Sequence, residues 1–406
     1  MKKCSPQEVG FSPDRLKRIN SGMQRYIDQK LIAGIVTLVA RRGSVVHFER
    51  FGWQDIEANK PMELDTIFRI YSMTKPITSV ALMMLYERGL FHLTDPVTKY
   101  LPEFKKVKVF VNDGELADLI RDITIQDLLR HTAGLSYGDY QDTPVDELYR
   151  QADFFRVVDT NQALTFRVDI TNQELTRRIT ELPLVHQPGE VWRYSVATDV
   201  VGYLVEVISD MPLADFFDEK IFQPLGMKDT AFSVPSEKID RFATAYGLTE
   251  KDALAVVDTP AGSDYTKEAR LHAGGQGLVS TAADYLRFAQ FVLNKGGLDG
   301  VRLLGRKTME LMTINHLPPA LLPMEMGEEQ MPGFGFGLGF SVMIDVAQSG
   351  TMGSVGLHGW GGWANTHFWV DPQEQLIGIL MLQYLPSGTY PITNDFRTLV
   401  YQALID

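Results

Sequence analysis

Phe68-Arg69-Ile70-Tyr71-Ser72-Met73-Thr74-Lys75-Pro76 leads directly into the apolar run Ile77 to Arg88, which Gly89 closes. The run has the spacing of a strongly formed helix, with Gly89 suited to its C-terminal cap and Pro76 tolerated in the first turn. If the chain enters that helix at Ser72, residues three apart share a face, and the Lys75 amine reaches the Ser72 hydroxyl. A serine hydroxyl is a poor nucleophile at neutral pH and needs such a base. Burial at a helix N-terminus near other positive charge would lower the lysine pKa, and free N–H groups there would favour a developing oxyanion. Ser-x-x-Lys alone is a short pattern, and a solvated Ser and Lys in a first turn is its competing reading. This is the chain's only instance.

Working outward, Ser12 and Pro13 open an amphipathic helix carrying Leu16, Ile19, Met23 and Ile27. Two β-rich runs follow, Gly34 to Ala40 and Val45 to Phe51, joined as a hairpin through Arg41-Arg42-Gly43-Ser44. The middle of the chain is richer in helical patterns: Thr124 to Leu129, which ends at His131-Thr132-Ala133-Gly134, and Ser195 to Ile208. Strand patterns return at Phe340 to Ile344, Thr366 to Val370 and Leu376 to Leu382, before a closing helix over Ile392 to Leu404. The expected fold is α+β. Both chain ends contribute one antiparallel sheet flanked by helices (residues 1–95 and 246–406), and a mostly helical subdomain (96–245) is inserted between them. Residues 317–335, rich in Pro, Met and Gly, read as a long surface loop that shapes a site.

Two further elements carry candidate chemistry. Tyr194 lies in the turn Pro188-Gly189-Glu190-Val191-Trp192-Arg193-Tyr194-Ser195, just before a helix, so its phenol sits at an element end. With a cation nearby a phenol can relay a proton; otherwise it is a packing tyrosine. Leu357-His358-Gly359-Trp360-Gly361-Gly362-Trp363 is rich in glycine, which lets a backbone N–H approach a ligand, or else forms an aromatic-packed hairpin turn. An oxyanion hole needs two N–H donors, for which Ser72 and Trp363 are the candidates. Tyr137, Trp360 and Trp363 are expected among the aromatic lining of a pocket between the sheet and the helical part.

Taken together, these stretches resemble the serine β-lactamase and penicillin-binding-protein superfamily, whose Ser-x-x-Lys pattern they share. The look is closest to the family VIII carboxylesterases built on the class C β-lactamase fold. Leu128-Leu129-Arg130-His131-Thr132-Ala133-Gly134-Leu135, Tyr194-Ser195 with Asp199, Pro224-Leu225-Gly226-Met227 and Trp360-Gly361-Gly362 carry the resemblance along nearly the whole chain. It implies a Ser72 nucleophile forming an acyl-enzyme, with Lys75 as base and Tyr194 as the relay that protonates the leaving alcohol. The choice between Lys75 and Tyr194 as principal base stays open. Lactamases of this fold carry Tyr-x-Asn and Lys-Thr-Gly. Here Val196 stands for the Asn and Trp360-Gly361-Gly362 for Lys-Thr-Gly, with His358 as an alternative occupant of the Lys position. An indole cannot pair with a substrate carboxylate, so acyl esters of short to medium chain or aryl esters are expected over carboxylated lactams. Weak β-lactamase activity is expected beside them. A lactamase, D-aminopeptidase, acyltransferase or non-catalytic binding homologue of the same fold are the alternatives.

Composition narrows the remaining classes. With 406 residues, 45% hydrophobic and 22% charged, the chain can bury a large core. Its formal charge of −12, with no basic run, would repel nucleic acid. The single cysteine, Cys4, cannot form an intrachain disulfide. Eight histidines show no H-E-x-x-H or paired spacing, so neither metal nor other cofactor is expected. MKKCSPQEVGFSPDRL lacks the apolar core of a secretory signal and no apolar stretch nears 18 residues, so the expected location is cytoplasmic, with no membrane partner. A small-molecule ester is the only partner these features suggest; they leave oligomeric state open.

Overall fold

The computed structural model describes residues 2–152, 155–157, 164–166, 169–248 and 253–406. Near the start, the Ser12 side chain accepts the Arg15 N–H as the cap of a short turn of helix. Helix α1 (Arg18–Asp28) then buries Ile19, Met23 and Tyr26 along one face. Strands β1 (Gly34–Arg41) and β2 (Ser44–Asp55) form the expected hairpin. Arg42 and Gly43 both have positive φ, 50° and 74°, the backbone of a type I′ turn, whose twist matches that of paired strands.

Helix α2 (Thr74–Glu87) follows a short 3₁₀ turn over Tyr71–Met73. Helices α3 (Ala197–Ser209) and α4 (Ala282–Leu293) come later, α3 packed directly on α2. The C-terminal part supplies β3 (Phe334–Phe336), β4 (Ser341–Met343), β5 (His358–Gly361), β6 (His367–Asp371), β7 (Leu376–Leu382) and helix α5 (Ile392–Tyr401).

Among the described residues these strands belong to one nine-stranded sheet, in the order β2-β1-β7-β6-β5-β4-β3. Each of the seven is antiparallel to its neighbour; Lys2–Lys3 adds a parallel edge beside β2, and Lys60–Pro61 also pairs with β2. The two chain ends meet where β1 pairs with β7, from Ile35 opposite Leu382 to Arg41 opposite Leu376. Both strands are buried along their whole length because helices cover both faces of the sheet, which is why they read as continuous apolar runs rather than alternating ones. Helices α1 and α5 pack on one face, around Ile35, Trp369 and Phe396. Helices α2 and α4 pack on the other, around Leu38, Phe368 and Ile379.

Between residues 96 and 245 the described elements are mainly helices, including Ile125–Leu129, Pro144–Gln151 and Asn172–Ile179. Their buried residues, such as Leu128 and Leu175, join the same hydrophobic cluster as Val36 and Ile379 of the sheet. Residues 317–335 are more ordered than a surface loop. They contain a hairpin, Met324–Met326 against Glu329–Met331, whose backbone bonds are satisfied locally. No helix among the described residues is long and apolar enough to cross a membrane.

Candidate active site

Ser72 sits in the 3₁₀ turn that feeds α2, and the residue before it is strained. Tyr71 has φ of 41°, a left-handed conformation unfavourable for a bulky side chain. Its ring is fixed by edge contacts with Trp363 at 5.6 Å and Tyr265 at 6.2 Å. Two residues earlier, the fully buried Arg69 guanidinium holds the incoming strand. It donates to Asp258 Oδ2 (2.8 Å), the Ala243 carbonyl (2.6 Å), Gln383 Oε1 (3.1 Å) and Ser263 Oγ (3.2 Å), and stacks 3.9 Å above the Phe242 ring. Such a clamp can hold a turn that sterics alone disfavour.

Lys75 lies one turn along and is sealed in the core, 1% exposed. Its Nζ stands 3.2 Å from Ser72 Oγ, 2.9 Å from Tyr137 Oη and 2.8 Å from the Gly275 carbonyl oxygen. Burial pulls its pKa down to about 7, against the opposing pull of Asp199 and Asp139. Burial likewise pushes the Asp199 carboxyl up. Asp199 accepts the Gly275 N–H at 2.8 Å and the Tyr137 hydroxyl at 3.4 Å, so Tyr137 bridges the amine and the carboxylate.

The proton inventory of the neutral amine follows from these partners. A carbonyl oxygen only accepts, so one Lys75 N–H goes to Gly275; Tyr137 gives its proton to Asp199 and accepts the other. The nitrogen lone pair is then left facing the Ser72 hydroxyl.

Tyr194 approaches from the other side, its Oη donating to Ser72 Oγ at 2.6 Å and accepting the Trp360 indole N–H at 3.3 Å. The turn that carries it is anchored by Arg193, whose guanidinium pairs with the buried Asp146 at 2.5 Å and whose N–H bonds the His131 carbonyl at 2.8 Å. Burial holds the Tyr194 phenol above its ordinary pKa, so it keeps its proton at neutral pH.

Gly362 closes the third side. A Cβ there would lie 2.5 Å from the Ile70 carbonyl oxygen and would overlap Thr366 Oγ1, so only glycine lets the end of β5 press against the segment leading to the nucleophile. This contact sets Trp363 beside Ser72, and both residues line two cavities. The larger, about 340 Å³, is bordered by Tyr194, Trp360, Gly361, Gly362 and Trp363 and is roofed by Met326, Met331 and Phe334 from the 317–335 segment. At its far end lies Arg397, bonded to His367 at 3.2 Å and Thr351 at 3.4 Å. The smaller is a recess of about 30 Å³ that runs past Tyr137.

The structure therefore brings Ser72, Lys75, Tyr194, Tyr137, Trp360, Gly361, Gly362 and Trp363 to one place. His358 is the exception. Strand alternation puts it on the face of Trp360, one pair further back, where it is 3% exposed and packed edge-on to Phe340 at 5.7 Å. Its Nδ1 bonds the Gly356 carbonyl at 2.9 Å, and burial takes its pKa to about 4. A neutral, enclosed imidazole lining neither cavity cannot stand in for a cationic carboxylate anchor. His131 is buried between Ser195 Oγ (3.3 Å) and Thr198 Oγ1 (3.5 Å) and contacts the Tyr194 ring.

Neither Gly275, whose carbonyl bonds Lys75, nor Asp199, whose charge acts on it, received a role from sequence. Asp199 did leave a signal, as the lone acid in the apolar stretch Ala197-Thr198-Asp199-Val200-Val201. Gly275 left none, because it is a backbone oxygen that reaches the site. Among the described residues no cluster of three or more His, Cys, Asp or Glu side chains could hold a metal ion.

Comparison with known proteins shows the family. The Beta-lactamase family profile matches residues 19–402, and the chain belongs to that family. Protein Rv1367c of Mycobacterium tuberculosis is 37% identical over 375 residues, 90% of each chain. Esterase EstB of Burkholderia gladioli is 29% identical over 420 residues, covering 99% of this chain and 100% of the relative. Among solved structures, EstCE1, described as a hydrolase with promiscuous acyltransferase activity, superposes with a TM-score of 0.81 at 28% identity. That match covers 96% of this chain and 99% of EstCE1.

Proposed function

We propose that the chain is a serine carboxylesterase that hydrolyses short- to medium-chain acyl or aryl esters through an acyl-enzyme on Ser72. The observation that carries this reading is the buried Lys75 amine, 3.2 Å from Ser72 Oγ with a pKa near 7. Such a group is half-deprotonated where most enzymes work, the condition general base catalysis favours.

In this mechanism Lys75 takes the Ser72 proton as Oγ attacks the ester carbonyl. The N–H groups of Ser72 and Trp363 receive the oxyanion. Tyr194, still carrying its proton, gives it to the departing alkoxide and is resupplied from the Lys75 ammonium. Water then attacks the acyl-enzyme by the reverse proton path. The aromatic and methionine lining around Ser72 favours an apolar acyl or aryl group, and a cavity of about 340 Å³ falls within the usual range for small ligands. The similarity to Esterase EstB supports an ester as substrate.

The test is turnover of nitrophenyl esters of increasing chain length by wild type and Ser72→Ala, with a cephalosporin in parallel. Loss of at least about a thousandfold in the variant is expected. Equal rates in the two proteins would end the reading, and a preference for the cephalosporin would overturn the substrate class.

Acyl transfer to an alcohol is a second reading, supported by the description of EstCE1. An added acceptor alcohol would then divert acyl-enzyme to a new ester at the expense of free acid.

A further inference from the structure

Two cavities open on Ser72, and they differ in chemistry. The larger, about 340 Å³, has room for the main body of an acyl or aryl group. The smaller, about 30 Å³, holds only a group the size of one or two heavy atoms. It is walled by Tyr137, Tyr140, Tyr194 and Trp363, with Asp139 at its rim. The rings are close neighbours, with Tyr137 and Tyr194 centroids 5.4 Å apart and Tyr140 edge-on to Tyr194 at 5.3 Å.

Asp139 has no place in the mechanism above. The residue is exposed overall, yet desolvation raises its carboxyl pKa to about 6, and among the described residues its side chain makes no ion pair or side-chain hydrogen bond. The nearby Arg150 is already committed to Asp142 (2.7 Å), Glu147 (2.8 Å) and the Gly138 carbonyl (2.6 Å). Asp139 lines the recess together with Tyr137, Tyr140 and Tyr194, and its charge bears on Lys75 and on all three phenols.

A free carboxylate beside a serine that must create an oxyanion opposes the reaction unless something neutralises it. Lys75 cannot, because it is engaged with Ser72, Tyr137 and the Gly275 carbonyl. A carboxylate at the rim of an aromatic recess is the complement of a small organic cation, which gains both the ion pair and the faces of the rings.

We infer that this recess binds a primary ammonium carried by the substrate within a few atoms of the scissile carbonyl. On this view the preferred esters are those of amino acids or similar short amino-acyl groups, with the cation in the recess and the rest in the larger cavity. The inference rests on Ser72 being the nucleophile of an esterase and adds to that reading a substrate class.

The experiment compares ethyl glycinate with ethyl propionate, in which a methyl replaces the ammonium, at pH 7, where most of the α-amine is protonated. The readout is the ratio of their kcat/KM values in wild type and in Asp139→Asn, which cancels the different intrinsic reactivity of the two esters. The ratio is expected to fall about tenfold in the variant, the loss of one charge-assisted contact. An unchanged ratio overturns the proposal even if both esters are hydrolysed.

Binding of n-propylammonium to Ser72→Ala and to Ser72→Ala/Asp139→Asn, followed by NMR titration, separates this proposal from the esterase reading. Saturable binding that weakens about tenfold in the double variant supports the cation recess whether or not esters turn over. Equal affinity in the two proteins rejects it, and failure of wild type to cleave any ester would reject only the esterase reading.

Discussion

Tyr194 Oη lies 2.6 Å from Ser72 Oγ, joining residues 122 positions apart by a short hydrogen bond in which the phenol is the donor. Its direction divides the labour in the site. With its pKa raised by burial, the phenol supplies a proton, and the amine whose pKa burial lowers is the group able to remove one.

Tyr194→Phe keeps the ring against Tyr137 and Trp360 but deletes the donor. Ester kcat should fall by about 10² to 10⁴, the usual worth of a positioned acid or base. The indole N–H of Trp360 loses its acceptor, which costs about 1–3 kcal/mol of stability. Steady-state kinetics and urea unfolding read the two effects separately. A kcat within threefold of wild type would remove Tyr194 from the reaction.

The pH profile follows Lys75. The base must be unprotonated, so kcat/KM should rise with pH through about 7 and fall away on the acid side. The Asp199 charge raises the Lys75 pKa, opposing burial; Asp199→Asn removes it and should move the acid limb to lower pH. A limb that stays put or moves up in the variant would show that Lys75 does not set it.

Gly362→Ala should lower kcat by about 10- to 100-fold with little change in KM. The added methyl meets the Ile70 carbonyl oxygen at 2.5 Å, so β5 must back away from the nucleophile, and a displacement near 1 Å can cost about a hundredfold. At Gly361 the same change meets only His367 Nδ1, at 3.0 Å, and a loss of a few-fold at most is expected. Parallel kinetics on the two variants test the difference, and equal losses would argue against the contact at Gly362.

Arg69→Met should destabilise the fold by about 3–5 kcal/mol in urea unfolding, because Asp258 and the Ala243 carbonyl lose a buried cationic partner. Arg69→Lys should recover little of this, since a single ammonium cannot reach four acceptors arranged around a planar fork. Full recovery with lysine would mean that charge alone matters there.

Much of this protein is decided locally. Ser12 as a helix cap, the Arg42-Gly43 turn, the helix after Ser72 and the apolar strand Leu376–Leu382 follow from backbone preferences and periodicity, which act over a few residues. The Ser72–Lys75 pair is of the same kind, because three residues in a helical turn bring two side chains together wherever the turn occurs. What such rules cannot supply is the environment that turns an amine into a base. The depressed pKa of Lys75 needs the packing of α2 against α3, a carbonyl from residue 275 and a phenol from residue 137, each brought by a separate segment of the chain. His358 and Trp360 make the same point. Alternation places both on one face of β5, but only the neighbouring elements decide that one borders the cavity and the other is sealed beneath Phe340. Sequence thus determined the elements and the reactive pair, since those depend on bonds along the chain. Tertiary structure alone decided which groups are stripped of water, and in a site that works by shifting pKa values, desolvation supplies the chemistry.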